Sequence, residues 1–171
     1  MKLLLHICCA PCTIYPLSLL ISNAYNVTGF FSNPNIHPFV EYEKRRITLQ
    51  QFAQNIALDV IYEQGYPLED FFRAVSFNET NRCEHCYRLR LEKTAIFAQQ
   101  HGYQSFSTTL LYSKYQKHEL IKTICEQLAQ DYCIEFVYED FRVGWQKGVD
   151  ESRKQGMYRQ KYCGCIYSIS K

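Results

Sequence analysis

Apolar residues along the chain fall into two patterns, short continuous runs and longer segments with helical spacing. Residues Lys2–Ile7 form a run without polar alternation, which is typical of a strand buried on both faces of a parallel sheet. From Cys12 to about Asn23 the apolar residues recur at helical spacing, and Pro16 is tolerated near the helix start. The first pattern also predicts strands at Tyr25–Phe31, Leu58–Tyr62, Ser105–Leu111 and Ile134–Tyr138. The second predicts helices over Phe39–Ala57, Pro67–Ala74, Glu84–Gln100, Gln116–Gln130 and from Gly144 into the C-terminal tail. Strands alternating with helices favour an open, mostly parallel α/β sheet.

Length and composition indicate one folded unit. The 171 residues, of which 47% are hydrophobic and 21% charged, are enough for one sizeable core and predict a single domain over residues 1–171. The first apolar run is too short to span a bilayer, and cysteines follow it where a signal peptide would have its cleavage site. We therefore expect a cytoplasmic protein without a membrane partner. The formal net charge of +2 gives no general basic excess, so any contact with RNA must be local.

Nine cysteines are more than a chain of this size needs for its core, and their number is odd. Cys8, Cys9 and Cys12 directly follow the first predicted strand, where a parallel sheet holds its ligands. Cys83 and Cys86 form a Cys-x-x-Cys pair at the start of a predicted helix. Two such elements can complete a four-thiolate shell for zinc or for an iron–sulfur cluster. The position at the end of a buried strand favours the cluster.

Two further points concern the ligands of the first motif. Side chains of adjacent residues in an extended chain point in opposite directions, so Cys8 and Cys9 are not expected to bind the same iron comfortably. Cys12, about one turn away, is then an alternative ligand or a thiol near the substrate, or a small buried residue at the helix start.

The remaining cysteines divide into a candidate redox pair and two core residues. Cys163 and Cys165 have one residue between them, and can form a strained, easily reduced disulfide or bind a metal with two thiolates. Cys125 lies among the apolar residues of a predicted helix, and Cys133 precedes an apolar strand. Both are therefore predicted to be buried.

Histidine and the C-terminal segment offer further candidates. His6 on the buried strand is expected to be a hydrogen-bonded structural residue, and His37 in the Asn33–Pro38 loop either orients substrate or braces the loop. The basic and aromatic residues of the C-terminal segment can grip a phosphate backbone and stack a base, or form a solvated helix face. They are Trp145, Lys147, Arg153, Lys154, Tyr158, Arg159 and Lys161.

Five ordered motifs, spread over nearly the whole chain, resemble those of the epoxyqueuosine reductase family QueH. They are His6-Ile-Cys-Cys-Ala-Pro-Cys12, Asn33-Pro-Asn-Ile-His-Pro38, Arg82-Cys-Glu-His-Cys-Tyr-Arg-Leu89, Ser107-Thr-Thr-Leu110 and Tyr158-Arg-Gln-Lys-Tyr-Cys-Gly-Cys165. The resemblance implies a doubly wound α/β fold similar to the adenine nucleotide α hydrolases, which belong to the HUP and Rossmann-like folds. It also implies the last step of queuosine synthesis, in which epoxyqueuosine at the wobble position of a transfer RNA anticodon is reduced to queuosine and water.

The resemblance further implies a [4Fe–4S] cluster. By motif, Cys8, Cys9, Cys83 and Cys86 would hold this cluster. Cys163 and Cys165 would be catalytic, as a redox-active disulfide or as ligands of a second metal ion. A second assignment has Cys9, Cys12, Cys83 and Cys86 holding the cluster, while Cys8 joins Cys163 and Cys165 around a separate iron. The partners implied are tRNA carrying epoxyqueuosine and an electron donor that the sequence does not identify.

Two other functions would also account for many thiols. A zinc-stabilised RNA-binding module would be colourless and would carry stoichiometric zinc. A thiol–disulfide oxidoreductase would need no metal and would survive chelation. Neither explains the ordered motifs that contain no cysteine.

Overall fold

The computed structural model describes residues 1–169 and contains one five-stranded parallel sheet. Its strands are β1 (Lys2–His6), β2 (Asn26–Phe31), β3 (Val60–Tyr62), β4 (Ser105–Thr108) and β5 (Glu135–Phe136). Their order across the sheet is β3-β2-β1-β4-β5. The predicted parallel α/β sheet is thereby confirmed, with the first strand at its centre.

Six α-helices cover the sheet. They are α1 (Ala10–Ser22), α2 (Phe39–Asn55), α3 (Leu68–Val75), α4 (Arg82–Gln100), α5 (His118–Asp131) and α6 (Trp145–Lys154). On one face α1 contacts α2 and α6, and on the other α4 contacts α3 and α5. Right-handed connections between parallel strands produce this arrangement, because the chain leaves β1 towards β2 and β4 towards β5.

The side chains of the central strand β1 show that both faces of the sheet are buried. Leu3, Leu4 and Leu5 are fully buried although consecutive side chains of a strand point to opposite faces. Each such leucine stabilises the fold by about 1.5–3 kcal/mol through burial. The unbroken apolar run at the start of the sequence is therefore the centre of the core.

Some element boundaries differ from the sequence-based predictions. The strand predicted over Ser105–Leu111 ends at Thr108, whose side-chain hydroxyl accepts a hydrogen bond from the Leu110 amide at 3.1 Å and starts a 3₁₀ turn. The helix predicted from Cys12 begins two residues earlier, at Ala10. The helix predicted from Gly144 into the C-terminal tail is α6, which begins at Trp145 and ends at Lys154. The last two residues of that tail, 170 and 171, lie outside the described part of the chain.

Within residues 1–169, no helix combines the length and the apolar character needed to cross a membrane.

Candidate metal centre and substrate cleft

The candidate site lies where the sheet reverses its direction of winding. The chain leaves the neighbouring strands β1 and β4 towards opposite edges of the sheet, and this separation opens a crevice beyond their carboxyl ends. Cys8 follows β1 and Thr109 follows β4, and the Cys8 amide donates a hydrogen bond to the Thr109 hydroxyl at 3.1 Å. The first cysteine motif is thus held in this crevice by two adjacent strands.

Three thiols converge at this point. The Sγ atoms of Cys8, Cys9 and Cys12 all lie within 4.8 Å of one another, and those of Cys8 and Cys9 are 3.7 Å apart. The expectation that Cys8 and Cys9 diverge is therefore wrong, because the chain bends at Cys8 before α1 begins instead of continuing extended. A metal that binds thiolates tetrahedrally at about 2.3 Å holds their sulfurs roughly 3.8 Å apart. The three thiols are thus close enough to share a metal.

Two polar side chains donate hydrogen bonds to these sulfurs. The Gln160 amide nitrogen lies 2.9 Å from Cys9 Sγ and 3.5 Å from Cys12 Sγ. The Thr109 hydroxyl lies 3.4 Å from Cys8 Sγ. Hydrogen bonds of this kind fix the direction of thiolate ligands and tune the potential of a cluster. Neither residue was assigned an individual role from its position, although Thr109 and Gln160 both stand inside the motifs described above.

A buried arginine connects the first cysteine motif to the second. Arg90 on α4 donates through Nη2 to Asn33 Oδ1 at 2.7 Å and approaches Cys86 Sγ with Nη1 at 3.8 Å. Asn33 in turn donates to the Ile7 carbonyl at 2.9 Å. Sequence reasoning missed Arg90, although its spacing of four residues from Cys86 places both on one helix face. A buried cation at this position offsets the negative charge of thiolates.

The three converging thiols do not ionise equally. Hydrogen bonds from the Cys12 and Cys9 thiols, together with the charge of Arg90, lower the pKa of Cys8 well below its usual value. Burial raises the pKa of Cys9. Hydrogen bonds with Cys8 and Cys9, followed by burial, raise the pKa of Cys12. Loss of one proton makes loss of the next costly, and a metal cation is the partner that lets several thiolates coexist.

The other predicted ligands lie at the start of α4 and in the C-terminal segment. Cys83 is partly buried and packs against the main core, which also contains Cys8, Cys9 and Cys12. Cys86 and Cys165 are buried in one small apolar cluster with Phe71 and Val75. Burial raises the pKa of Cys86 to about 11. All nine cysteines are free thiols in the structure, so a Cys163–Cys165 disulfide stays a prediction. Among residues 1–169, Cys8, Cys9 and Cys12 form the one group of three or more potential ligand atoms that lie within 4.8 Å of one another.

The C-terminal segment that carries Cys163 is tied to α2. Arg45 is only 2% exposed, pairs with Glu41 at 2.8 Å, and donates to the carbonyls of Tyr162 at 3.0 Å and Cys163 at 3.2 Å. Glu41 also accepts a hydrogen bond from the Tyr158 hydroxyl. No local pattern in the sequence predicts these contacts, because they join residues more than a hundred positions apart.

A cleft of about 630 Å³ opens beside the thiols, a volume within the range of ligand sites. Cys8, Cys12 and Cys163 line it, whereas Cys9 does not. Trp145 and Arg159, both among the predicted RNA-contacting residues, also line the cleft. By contrast, the exposed Arg153 and Lys154 form ion pairs along α6 and belong to a solvated helix face.

Four other predictions have clear outcomes. Cys125 is buried as predicted, but Cys133 is exposed, because the chain turns there with a φ of 51° before β5. His6 is a buried structural residue, with Nδ1 2.9 Å from the Thr108 hydroxyl. His37 is 2% exposed, its ring packs among aromatic side chains with neither nitrogen hydrogen-bonded, and it is not among the residues that line the cleft.

Comparison with known proteins gives a consistent result. Residues 3–171 match the family described as epoxyqueuosine reductase QueH. The chain is 37% identical over 167 residues to the epoxyqueuosine reductase QueH of Dehalococcoides mccartyi, an alignment that covers 98% of this chain and 92% of that protein. It is 38% identical over 176 residues to the Thermotoga maritima protein of the same name, covering 97% and 89%.

A solved structure confirms the fold class. The predicted subunit of a tRNA methyltransferase from Methanocaldococcus jannaschii matches with a TM-score of 0.61 and 12% identity, over 90% of this chain and 74% of that one. At this identity the likeness concerns the fold alone, an α/β arrangement around a parallel sheet.

Proposed function

The chain belongs to the QueH family of epoxyqueuosine reductases, and from this premise we propose how its own residues reduce epoxyqueuosine in tRNA. The reaction removes the epoxide oxygen as water and leaves an alkene, which requires two electrons and two protons. The main support for the proposal is that the sulfurs of Cys8, Cys9 and Cys12 converge beside a cleft that two of these thiols line. A zinc-stabilised binding module and a metal-free oxidoreductase are not favoured, because the full-length family match extends to motifs without cysteine.

We assign the cluster ligands as Cys8, Cys9, Cys83 and Cys86. Four cysteine thiolates are the usual ligands of a [4Fe–4S] cluster, and these four come as two pairs: the sulfurs of Cys8 and Cys9 lie 3.7 Å apart, and Cys83 and Cys86 stand in the first turn and a half of α4. Arg90 approaches Cys86 Sγ at 3.8 Å, and its charge adds to the hydrogen bonds from Cys12 and Cys9 that lower the pKa of Cys8, which supports Cys8 as the ligand from the first motif. In the alternative assignment, Cys12 takes the place of Cys8.

When bound, the cluster would supply electrons one at a time, so a two-electron reaction needs a second redox group nearby. The thiols of Cys163 and Cys165 meet this need, because their oxidation to a disulfide releases two electrons and two protons. The balance is then epoxide plus two thiols giving alkene, water and disulfide, and the electron donor restores the thiols. Cys163 lines the cleft together with Ser168, whose hydroxyl lies 3.0 Å from its Sγ, and this position supports a role for the thiol in the reaction. In the alternative, the same two thiols hold an additional iron.

The residues around the thiols have positioning roles. Thr109 and Gln160 orient the sulfurs of Cys8 and Cys9, respectively, by donating hydrogen bonds to them. Arg90 supplies positive charge that permits thiolates in a buried site. Arg45 holds the segment bearing Cys163 against α2.

The proposal is tested by comparing Cys9→Ser with Cys133→Ser after purification without oxygen. Wild-type protein should contain about four irons with sulfide, absorb visible light and convert epoxyqueuosine in tRNA to queuosine, as measured by mass spectrometry of the nucleosides. Cys9→Ser should lose the iron, the absorbance and the conversion. Cys133→Ser should keep all three, because Cys133 is exposed and away from the site. Zinc alone in active wild-type protein would contradict the proposed cluster.

The two ligand assignments are separated by a second pair of variants. Cys8→Ser should lose the visible absorbance if Cys8 holds the cluster, whereas Cys12→Ser should retain it. The opposite result would transfer the assignment to Cys12. Both thiols line the cleft and are buried to a similar degree, so the two variants are well matched.

A further inference from the structure

The rim of the cleft carries an aromatic pair that the proposed chemistry does not use. Tyr115 is 86% exposed, and its ring stands edge-on to Trp145 with centroids 5.6 Å apart. Trp145 in turn packs against the buried Tyr112 at 5.1 Å, and the Tyr112 hydroxyl donates to the Trp145 carbonyl at 2.9 Å. The Tyr112 ring packs tightly against the backbone of Gly148, because a Cβ at that position would lie 2.2 Å from the Tyr112 oxygen. The indole is therefore fixed in place, while Tyr115 presents a large apolar ring to solvent.

Unpaired cations surround this aromatic pair. Lys114 and Lys117 flank Tyr115 in the sequence, and Arg159 and Lys161 line the cleft beside it. All four are exposed, and within residues 1–169 none of them takes part in an ion pair. The cations at the end of α6, by contrast, pair with carboxylates of the same helix. Positive charge is thus left available at the rim although the whole chain is close to neutral.

We propose that this rim binds the single-stranded anticodon loop of the tRNA, with a base next to the reacting nucleotide stacked on Tyr115 and Trp145 and loop phosphates held by Arg159 and Lys161. The inference rests on the proposed function and adds the residues that recognise the substrate. A cleft of about 630 Å³ receives a ligand of small-molecule size, so the neighbouring nucleotides of the loop must lie on the rim. Exposed aromatic rings beside cations suit unpaired bases, since a duplex does not offer its base faces for stacking.

The binding experiment uses the full anaerobic protein and a fluorescently labelled RNA hairpin with the sequence of the anticodon arm. Tyr115→Ala should weaken binding about tenfold, within the range measured for loss of one stacked base, whereas Tyr115→Phe should bind like the wild type. Arg159→Ala/Lys161→Ala should also weaken binding and lower the slope of log affinity against log salt by roughly 1.4, at about 0.7 for each phosphate contact. The matched control, Arg153→Ala/Lys154→Ala, removes two exposed cations outside the cleft and should change neither quantity.

Turnover separates this inference from the proposed function. On tRNA carrying epoxyqueuosine, Tyr115→Ala should raise KM and keep kcat, because the ring holds the substrate without touching the reacting atoms. If wild-type protein reduces the tRNA but Tyr115→Ala and Arg159→Ala/Lys161→Ala bind and react like it, the proposed rim is refuted and the function stands. If wild-type protein reduces no epoxyqueuosine while the rim variants still lose hairpin binding, the function is refuted and the RNA surface stands.

Discussion

Replacing Arg45 by methionine should release the C-terminal segment from α2 while the sheet stays folded. Methionine keeps an apolar stem of similar length but removes the two hydrogen bonds to the carbonyls of Tyr162 and Cys163, at 3.0 and 3.2 Å, and the pair with Glu41. Cys163 would then no longer be held at the cleft. Turnover should fall even though no proposed cluster ligand has changed.

The magnitude follows from these contacts. A hydrogen bond from a charged donor contributes about 1.5–3 kcal/mol, so loss of two favours local opening of the segment by at least about 3 kcal/mol. At about 1.4 kcal/mol for each factor of ten, the open fraction rises by roughly 100-fold. Glu41, left buried without its cation, destabilises the whole fold by a further 3–5 kcal/mol or so. The double variant Glu41→Gln/Arg45→Met removes that second effect but not the first.

Limited trypsin digestion separates local from global opening. Cleavage after Arg159 and Lys161 reports release of the segment, and cleavage after Lys122 within α5 reports unfolding of the whole chain. Arg45→Met and the double variant should both speed the first cleavage, whereas the double variant should recover stability in urea. Arg46→Met is the matched control, because Arg46 forms only a partly exposed pair with Glu43 at 2.7 Å. Equal cleavage after Lys161 in wild type and Arg45→Met would refute the role of Arg45.

Three further predictions follow from individual contacts. Cys163→Ser should keep the visible absorbance of the cluster and lose turnover, and full activity of this variant would exclude the proposed redox role. Gly148→Ala should lower the free energy of unfolding by about 1–3 kcal/mol, because its Cβ meets the Tyr112 oxygen at 2.2 Å, and adding Tyr112→Phe should recover part of that loss in urea titrations. Leu5→Ala should cost about 2–5 kcal/mol in the same assay, whereas Ile21→Ala at a 57% exposed position should cost less than about 1 kcal/mol.

The order and type of the main elements could be predicted from the sequence, because hydrophobic periodicity is a local property. The apolar run at Lys2–Ile7 corresponds to β1 at Lys2–His6, and the helix predicted to end at Gln100 does end there. Gly102, with a φ of 72°, adopts the left-handed conformation that suits a residue just after a helix. The spacing of the cysteine motifs and their place after a buried strand likewise located the candidate site, since ligands bind beyond the carboxyl ends of parallel strands.

The assembly of the site could not be predicted from the sequence and is visible in the three-dimensional fold. The bend at Cys8 that turns three thiols towards one point depends on packing between β1 and β4, and local extension of the chain predicted the opposite. The buried Arg90 and Arg45 donate hydrogen bonds to residues between 57 and 118 positions away. Those of Arg45 hold the C-terminal segment against α2. Such contacts have no periodic signal, because they depend on which faces of the sheet the helices cover and not on the order of neighbouring residues. Hydrophobic periodicity and motif spacing therefore identified the elements and the thiols, and the fold sets which charges, hydrogen bonds and rings surround them.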